Sequence, residues 1–165
     1  MRTSSPDQRL AAAADIAACA ALLRTGSRSF HAASRLLPRA VREPATVLYA
    51  FCREADDAVD GGDDPRGALA RLRTRLDLCY AGRPAASPVD RAFARTAAAL
   101  AIPRALPEGL IEGLTWDVAG RRYDTLDDLQ AYAARVAGTV GAMMTVIMGR
   151  REPEVLARAC DLGVA

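Results

Sequence analysis

Histidine is nearly absent: among 165 residues His31 is the only one. The four cysteines, Cys19, Cys52, Cys79 and Cys160, show no zinc-pair spacing, which argues against a zinc or other imidazole–thiolate centre. They read as buried free thiols, and His31 reads as a structural or surface residue. Aromatic side chains make up only 5% of the chain, and 22 basic residues nearly balance 20 acidic ones. No basic run or interleaving of aromatic and basic residues marks a nucleic-acid surface. The longest strongly apolar stretch, VGAMMTVIMG from Val140 to Gly149, is too short to cross a bilayer. The opening MRTSSPDQRL has no apolar signal-peptide core, so the cytoplasm is the expected location. No strand-like period-two alternation is visible either.

What remains is helix. Alanine, leucine and arginine dominate, a composition that favours it. SPDQ, from Ser5 to Gln8, offers a cap, a proline at the first helical position and a glutamine at the third. The spacing predicts a first helix to Leu23, ended by RTG, and a short second one within SRSFHAASRLLP, ending near Pro38. A third runs from about Val41 to Asp60 and stops at GGDDP. Further helices are expected over 66–80, 88–101, 107–120, 126–149 and 153–162, joined by proline-marked loops. The expected fold is a single all-α domain over residues 1–165, an antiparallel helical bundle.

One stretch, CREADDAVD, conflicts with a purely structural helix. At 100° per residue, Tyr49, Arg53, Asp56 and Asp60 form one narrow stripe. Leu48, Phe51, Ala55 and Val59 form a separate apolar stripe, with Asp57 at the border. A solvated face with Arg53 paired to Asp56 or Asp57 is the plain reading, and such pairs contribute only ~0.2–0.5 kcal/mol. Yet three carboxylates repel one another, and they sit at the helix end that disfavours negative charge. A hard divalent cation removes that cost. Mg²⁺ binds through one or two carboxylates plus substrate phosphates, and Arg53 and Tyr49 add donors for phosphate oxygens. The stripe therefore points to a Mg²⁺–diphosphate site.

These residues also carry a resemblance. YAFCREADDAVD (Tyr49–Asp60), GSRSFHAASRLLP (Gly26–Pro38) and YDTLDDLQAYAARVAGTVGAMM (Tyr123–Met144) resemble, in order, blocks of the squalene/phytoene synthase family, and among its members the bacterial phytoene synthases of carotenoid pathways. The resemblance implies an isoprenoid-synthase-type helical bundle. It implies head-to-head condensation of two geranylgeranyl diphosphates to phytoene through prephytoene diphosphate, without NADPH. Squalene- or dehydrosqualene-type chemistry on farnesyl diphosphate is the alternative. A non-catalytic helical protein that binds prenyl diphosphate or a partner is a further one.

Residue by residue, the resemblance makes Asp56 and Asp60 metal ligands, with Asp57 in support and Mg²⁺ or Mn²⁺ as the ion. Arg53, Tyr49, Ser27, Arg28 and Ser29 would hold the diphosphate. Tyr132 would stand near the reacting carbons, and Val136 and Val140 would line the cavity. It leaves open peripheral attachment to a membrane, with no transmembrane segment and no nucleic acid. Gly138 and Gly141 within VAGTVG serve either close packing or a kink, or else make room for a prenyl chain. WDVAGRRYDT (Trp116–Thr125) resembles another block of the family; Asp117 and Arg122 either meet the site or bridge helices, with bridging preferred. The family's second aspartate-rich motif, expected soon after RACDLGVA, has no counterpart: DGGDD reads as a turn and DTLDD as a helix start. The expectation is an incomplete, N-terminal portion of a longer domain.

Overall fold

A computed structural model describes residues 5–61 and 63–165. All regular structure among them is helical. Ser5 caps α1 (Pro6–Gly26) with a reciprocal Ser5–Gln8 capping box. RTG does not end this helix. The Thr25 hydroxyl donates to the carbonyls of Ala21 and Leu22, and the helix continues through Gly26. Ser27, extended at φ −151° and ψ 105°, is the real break. It closes α1 and its hydroxyl caps α2 (Arg28–Ser34).

The third helix, α3 (Arg39–Asp60), is the centre of the bundle. It starts two residues before the expected Val41 and tolerates Pro44 inside it. Leu48, Phe51, Ala55 and Val59 are buried, as their spacing predicts. Gly61 closes α3, and Asp64 caps α4 (Pro65–Tyr80); Gly62, part of the expected GGDDP turn, lies outside the described residues. Then follow α5 (Pro88–Ala99), α6 (Ala105–Val118), α7 (Leu126–Ala133), a π-helical segment (Ala134–Gly138), α8 (Thr139–Ile147) and α9 (Pro153–Val164). The expected helix over 126–149 is thus interrupted in its middle by a widened turn.

Helix α3 packs against α1, α4, α5, α6 and α8. Phe51 stacks on Phe93 of α5 at 4.1 Å between ring centres, with Leu72, Leu76, Ile111 and Met143 completing the core. Two buried carboxylates pin this arrangement. Asp15 of α1 accepts from Arg91 and Arg95 of α5. Asp90 of α5 accepts from Arg75 of α4, which also donates to Glu54 of α3. No helix among the described residues is long and apolar enough to cross a membrane.

The glycines of VAGTVG meet α9. A side chain on Gly141 would touch the Ala159 carbonyl at 2.7 Å, and one on Gly138 would meet the backbone of Cys160 at 3.3 Å. A side chain on Gly163 of α9 would meet the backbone of Ala137 at 2.9 Å. Close helix packing, rather than space for a ligand, is what these glycines provide here.

Candidate active site

The polar stripe of α3 is displayed as its spacing predicts. Arg53, Asp56, Asp57 and Asp60 are exposed, Tyr49 is half-buried, and the opposite stripe fills the core. No basic residue occupies the last turn of α3, so the helix dipole adds to the mutual repulsion of its carboxylates. The proton affinity of Asp56 is raised by lost hydration first, then by Asp60, with Asp57 and Asp117 adding to it against the opposing pull of Arg53. Asp56 is exposed by surface area yet crowded enough to be underhydrated. The anion there is under-compensated, which is the condition a bound cation relieves.

Arg53 and Asp57 are engaged with each other. Nε and Nη2 of Arg53 lie 2.9 Å from the two carboxylate oxygens of Asp57 in a bidentate fork. The expected Arg53 pairing thus goes to Asp57 and leaves Asp56 and Asp60 without a cationic partner among the described residues. Asp57, expected as a supporting metal ligand, has both oxygens in contact with the Arg53 guanidinium. No group of three or more His, Cys, Asp or Glu side chains among the described residues could hold a metal ion by itself. The donor set fits a hard ion that takes one or two carboxylates and completes its shell with water and substrate oxygens.

The segment after α1 reaches the same stripe. Phe30 stacks on Tyr49 at 5.5 Å and 17°, and the Tyr49 hydroxyl occupies the space a side chain at Gly26 would need. Ser27 and Ser29 lie with their hydroxyl oxygens 3.4 Å apart, and Ser27 accepts from the Phe30 N–H. Arg28 is exposed and makes no ion pair with a described residue.

Tyr132 lies on α7, which packs against α6, α9 and the π-helical segment. Its hydroxyl donates to Asp117 Oδ2 at 2.9 Å. Burial, the Asp117 hydrogen bond and nearby negative charge, including that of Asp56, push its ionisation up to about 12. Tyr132 is therefore a neutral phenol near neutral pH, electrostatically in view of Asp56. Its ring lies 4.9 Å from Tyr123, and Tyr123 lies 6.3 Å from Trp116. Asp117 bridges α6 and α7 through the Tyr132 hydroxyl, the preferred reading of that residue. Arg122 is exposed. Val136 packs against Gly113 of α6, while Val140 is partly buried against the core. A cavity of about 580 Å³ lies away from the stripe, between α7 and the end of α9, lined by Leu126, Leu129, Gln130, Asp161 and Val164.

Thiol chemistry has no support in this arrangement. Burial pushes Cys19 up to about 11 and Cys52 and Cys79 up to about 12, and all four cysteines are unpaired.

The family model for squalene/phytoene synthase matches residues 23–165. The chain belongs to the squalene/phytoene synthase family. The phytoene synthases of Cereibacter sphaeroides and Rhodobacter capsulatus are 55% and 57% identical over 93% of this chain. The chain spans about half of their length, 46% in each case. A squalene synthase from Alicyclobacillus acidocaldarius superimposes with a TM-score of 0.87 at 29% identity, over 94% of this chain and 59% of its own. A dehydrosqualene synthase superimposes at 0.84 and 28% identity, over 93% and 54%. The all-helical architecture is thus the one these synthases share.

Sequence reasoning missed the buried ion pairs of Asp15 and Asp90. The lone Asp15 inside AAAADIAACAA was a usable signal: a single carboxylate in an alanine-rich helix needs a partner, and Arg91 and Arg95, one turn apart, provide it.

Proposed function

We propose that the protein acts as a phytoene synthase, joining two geranylgeranyl diphosphates head to head through prephytoene diphosphate. The observation that carries this is the α3 stripe of Tyr49, Asp56 and Asp60 with the Gly26–Ser29 segment packed against Tyr49; Tyr132 joins it in this reading on the family resemblance. The names of the Cereibacter and Rhodobacter relatives support the choice of substrate.

Asp56 and Asp60 are the residues that would hold Mg²⁺, with Mn²⁺ as a substitute. Bound there, the ion would neutralise the charge that grows on a departing diphosphate. The protein's own residues do the rest. Arg28, which makes no ion pair with a described residue, is a cation beside Ser27 and Ser29 in sequence, and Ser27, Ser29 and Tyr49 add hydroxyl donors for phosphate oxygens. Arg53 engages Asp57 through Nε and Nη2, and its Nη1 donors can serve the same diphosphate. Tyr132 offers a neutral phenolic oxygen to an electron-poor carbon. Val136 and Val140 line the helix face beyond Tyr132 and keep that region apolar, which shields a carbocation from water. Loss of a proton ends the sequence, so no NADPH is consumed. A long hydrocarbon product partitions into lipid, which favours peripheral contact with a membrane.

Supplying the full protein with Mg²⁺ and either geranylgeranyl or farnesyl diphosphate tests this reading. Phytoene from the C20 substrate is the expected product. A strong preference for the C15 substrate would replace it with the squalene-type reading.

A further inference from the structure

Asp117 sits in the last turn of α6, where the helix dipole disfavours a carboxylate. Among the described residues no cation pairs with it. Arg121 lies over the Trp116 ring at 3.9 Å and reaches Asp128, and Arg135 lies over Trp116 at 4.2 Å and pairs with Glu112. The Asp117 carboxylate receives the Tyr132 hydroxyl instead. Tyr132 is thus held at two points, its ring by Tyr123 and its oxygen by Asp117.

A phenol has one proton to give and lone pairs to offer. With its proton committed to Asp117, Tyr132 cannot also donate to a leaving diphosphate or to Asp56. A hydrogen bond to an anion further enriches the phenolic oxygen in electron density. We propose that Asp117 is a positioning residue for Tyr132, taking the phenolic proton in a hydrogen bond so that the oxygen meets the reacting carbons as an electron-rich acceptor only. This rests on the phytoene synthase reading above. It assigns Tyr132 to stabilising a developing cation and denies it the role of acid toward the diphosphate.

Two measurements test it on the full protein. In the first, tyrosines carry a ¹³C label at Cζ, and the Tyr132 resonance is identified by its loss in Tyr132→Phe. Asp117→Asn is expected to move that resonance. An unmoved resonance means that the hydrogen bond is absent and overturns the proposal, whatever the enzyme does.

In the second, kcat and KM are measured for Asp117→Asn, Asp117→Glu, Tyr132→Phe and the Asn/Phe double variant. Asp117→Asn is expected to lower kcat by about 10- to 100-fold, as loss of an orienting partner does, with KM little changed. Asp117→Glu recovers part of the loss. The double variant is no slower than Tyr132→Phe alone, because Asp117 acts only through the phenol. Losses that multiply in the double variant would show a separate structural role and overturn the proposal. If the wild-type protein turns over neither diphosphate, the phytoene synthase reading fails, and the positioning role for that reaction is overturned with it. A moved ¹³C resonance would then identify this as a failure of the reading and not of the Asp117–Tyr132 hydrogen bond.

Discussion

Asp56 and Asp15 are both aspartates crowded by protein, and their surroundings push them in opposite directions. For Asp56 lost hydration and neighbouring carboxylates raise the pKa. The folded state therefore holds its proton more tightly than the unfolded chain does. The resulting penalty is absent at pH below the ordinary aspartate value and grows as pH rises through the raised folded value. Asp56→Asn removes that penalty at neutral pH, so its Tm is expected to stay level or rise. Turnover is expected to fall by ~10²-fold or more for Asp56→Asn and for Asp60→Asn, as when other stabilisers of developing charge are removed. Steady-state rates and thermal melts of the same samples check this. Full activity in both variants would return the stripe to a solvated face. Asp15 goes the other way: burial would raise its pKa, but hydrogen bonds from Arg91 and Arg95 and their charges win and lower it. The stability it contributes is present above the ordinary aspartate value and is lost as pH falls through the lowered folded value. Asp15→Asn is expected to cost ~2 kcal/mol at neutral pH, below the full value for a broken buried pair because both arginines are partly exposed. Denaturant melts at neutral and acid pH should show the gap between wild type and variant narrowing at the lowest pH.

At the scale of the helix, the first cap and its proline were legible because their physics is local. Ser5 places its side-chain oxygen on a backbone N–H with Pro6 directly after it, as SPDQ predicts; the caps at Asp64 and Ser87, each also followed by proline, are seen only in the structure. The two stripes of α3 were legible because period alone sorts them. RTG misled because Thr25 satisfied its hydroxyl on the preceding turn, which let the helix run on to Gly26. The π segment had no readable signal either. Its widened turn packs against α6 and α9, neighbours that only the folded chain provides. Of the candidate site, the α3 stripe could be read directly. The hydrogen bond from Tyr132 to Asp117 could not, because the two are 15 residues apart and meet only by helix packing. The α8–α9 seam gives a prediction at this scale. Gly141→Ala must displace the backbone carbonyl of Ala159 at 2.7 Å, whereas Gly138→Ala meets Cys160 at 3.3 Å. Overpacking costs ~1–3 kcal/mol, and alanine returns up to ~1 kcal/mol of helix propensity. Gly141→Ala should therefore lower Tm clearly, and Gly138→Ala much less. Equal Tm values would mean that α9 yields freely.

Across the whole molecule, burial is uneven. Helix α3 carries eight buried residues and touches six other helices, while no residue of α7 or α9 is buried. Leu126, Leu129 and Leu162, on those same two helices, are exposed at 68%, 48% and 80%. Local opening costs most where apolar contacts are dense and least where they are sparse. The ion pairs reinforce this division. Asp15 ties α1 to α5, and the Glu54–Arg75–Asp90 group ties α3 to α4 and α5; neither reaches α7 or α9. Native-state hydrogen exchange should therefore show the interior amides of α3, α4 and α5 opening only with global unfolding. The amides of α7 and α9 should exchange through smaller openings, at rates that respond weakly to denaturant. Tyr132 lies in the weaker part and Asp56 in the stronger, so the two halves of the candidate site differ in rigidity. Binding of a diphosphate with Mg²⁺ should slow exchange in α7 far more than in α3, because only α7 has freedom left to lose. Equal protection of α3 and α7 without ligand would show that the site is already rigid on both sides.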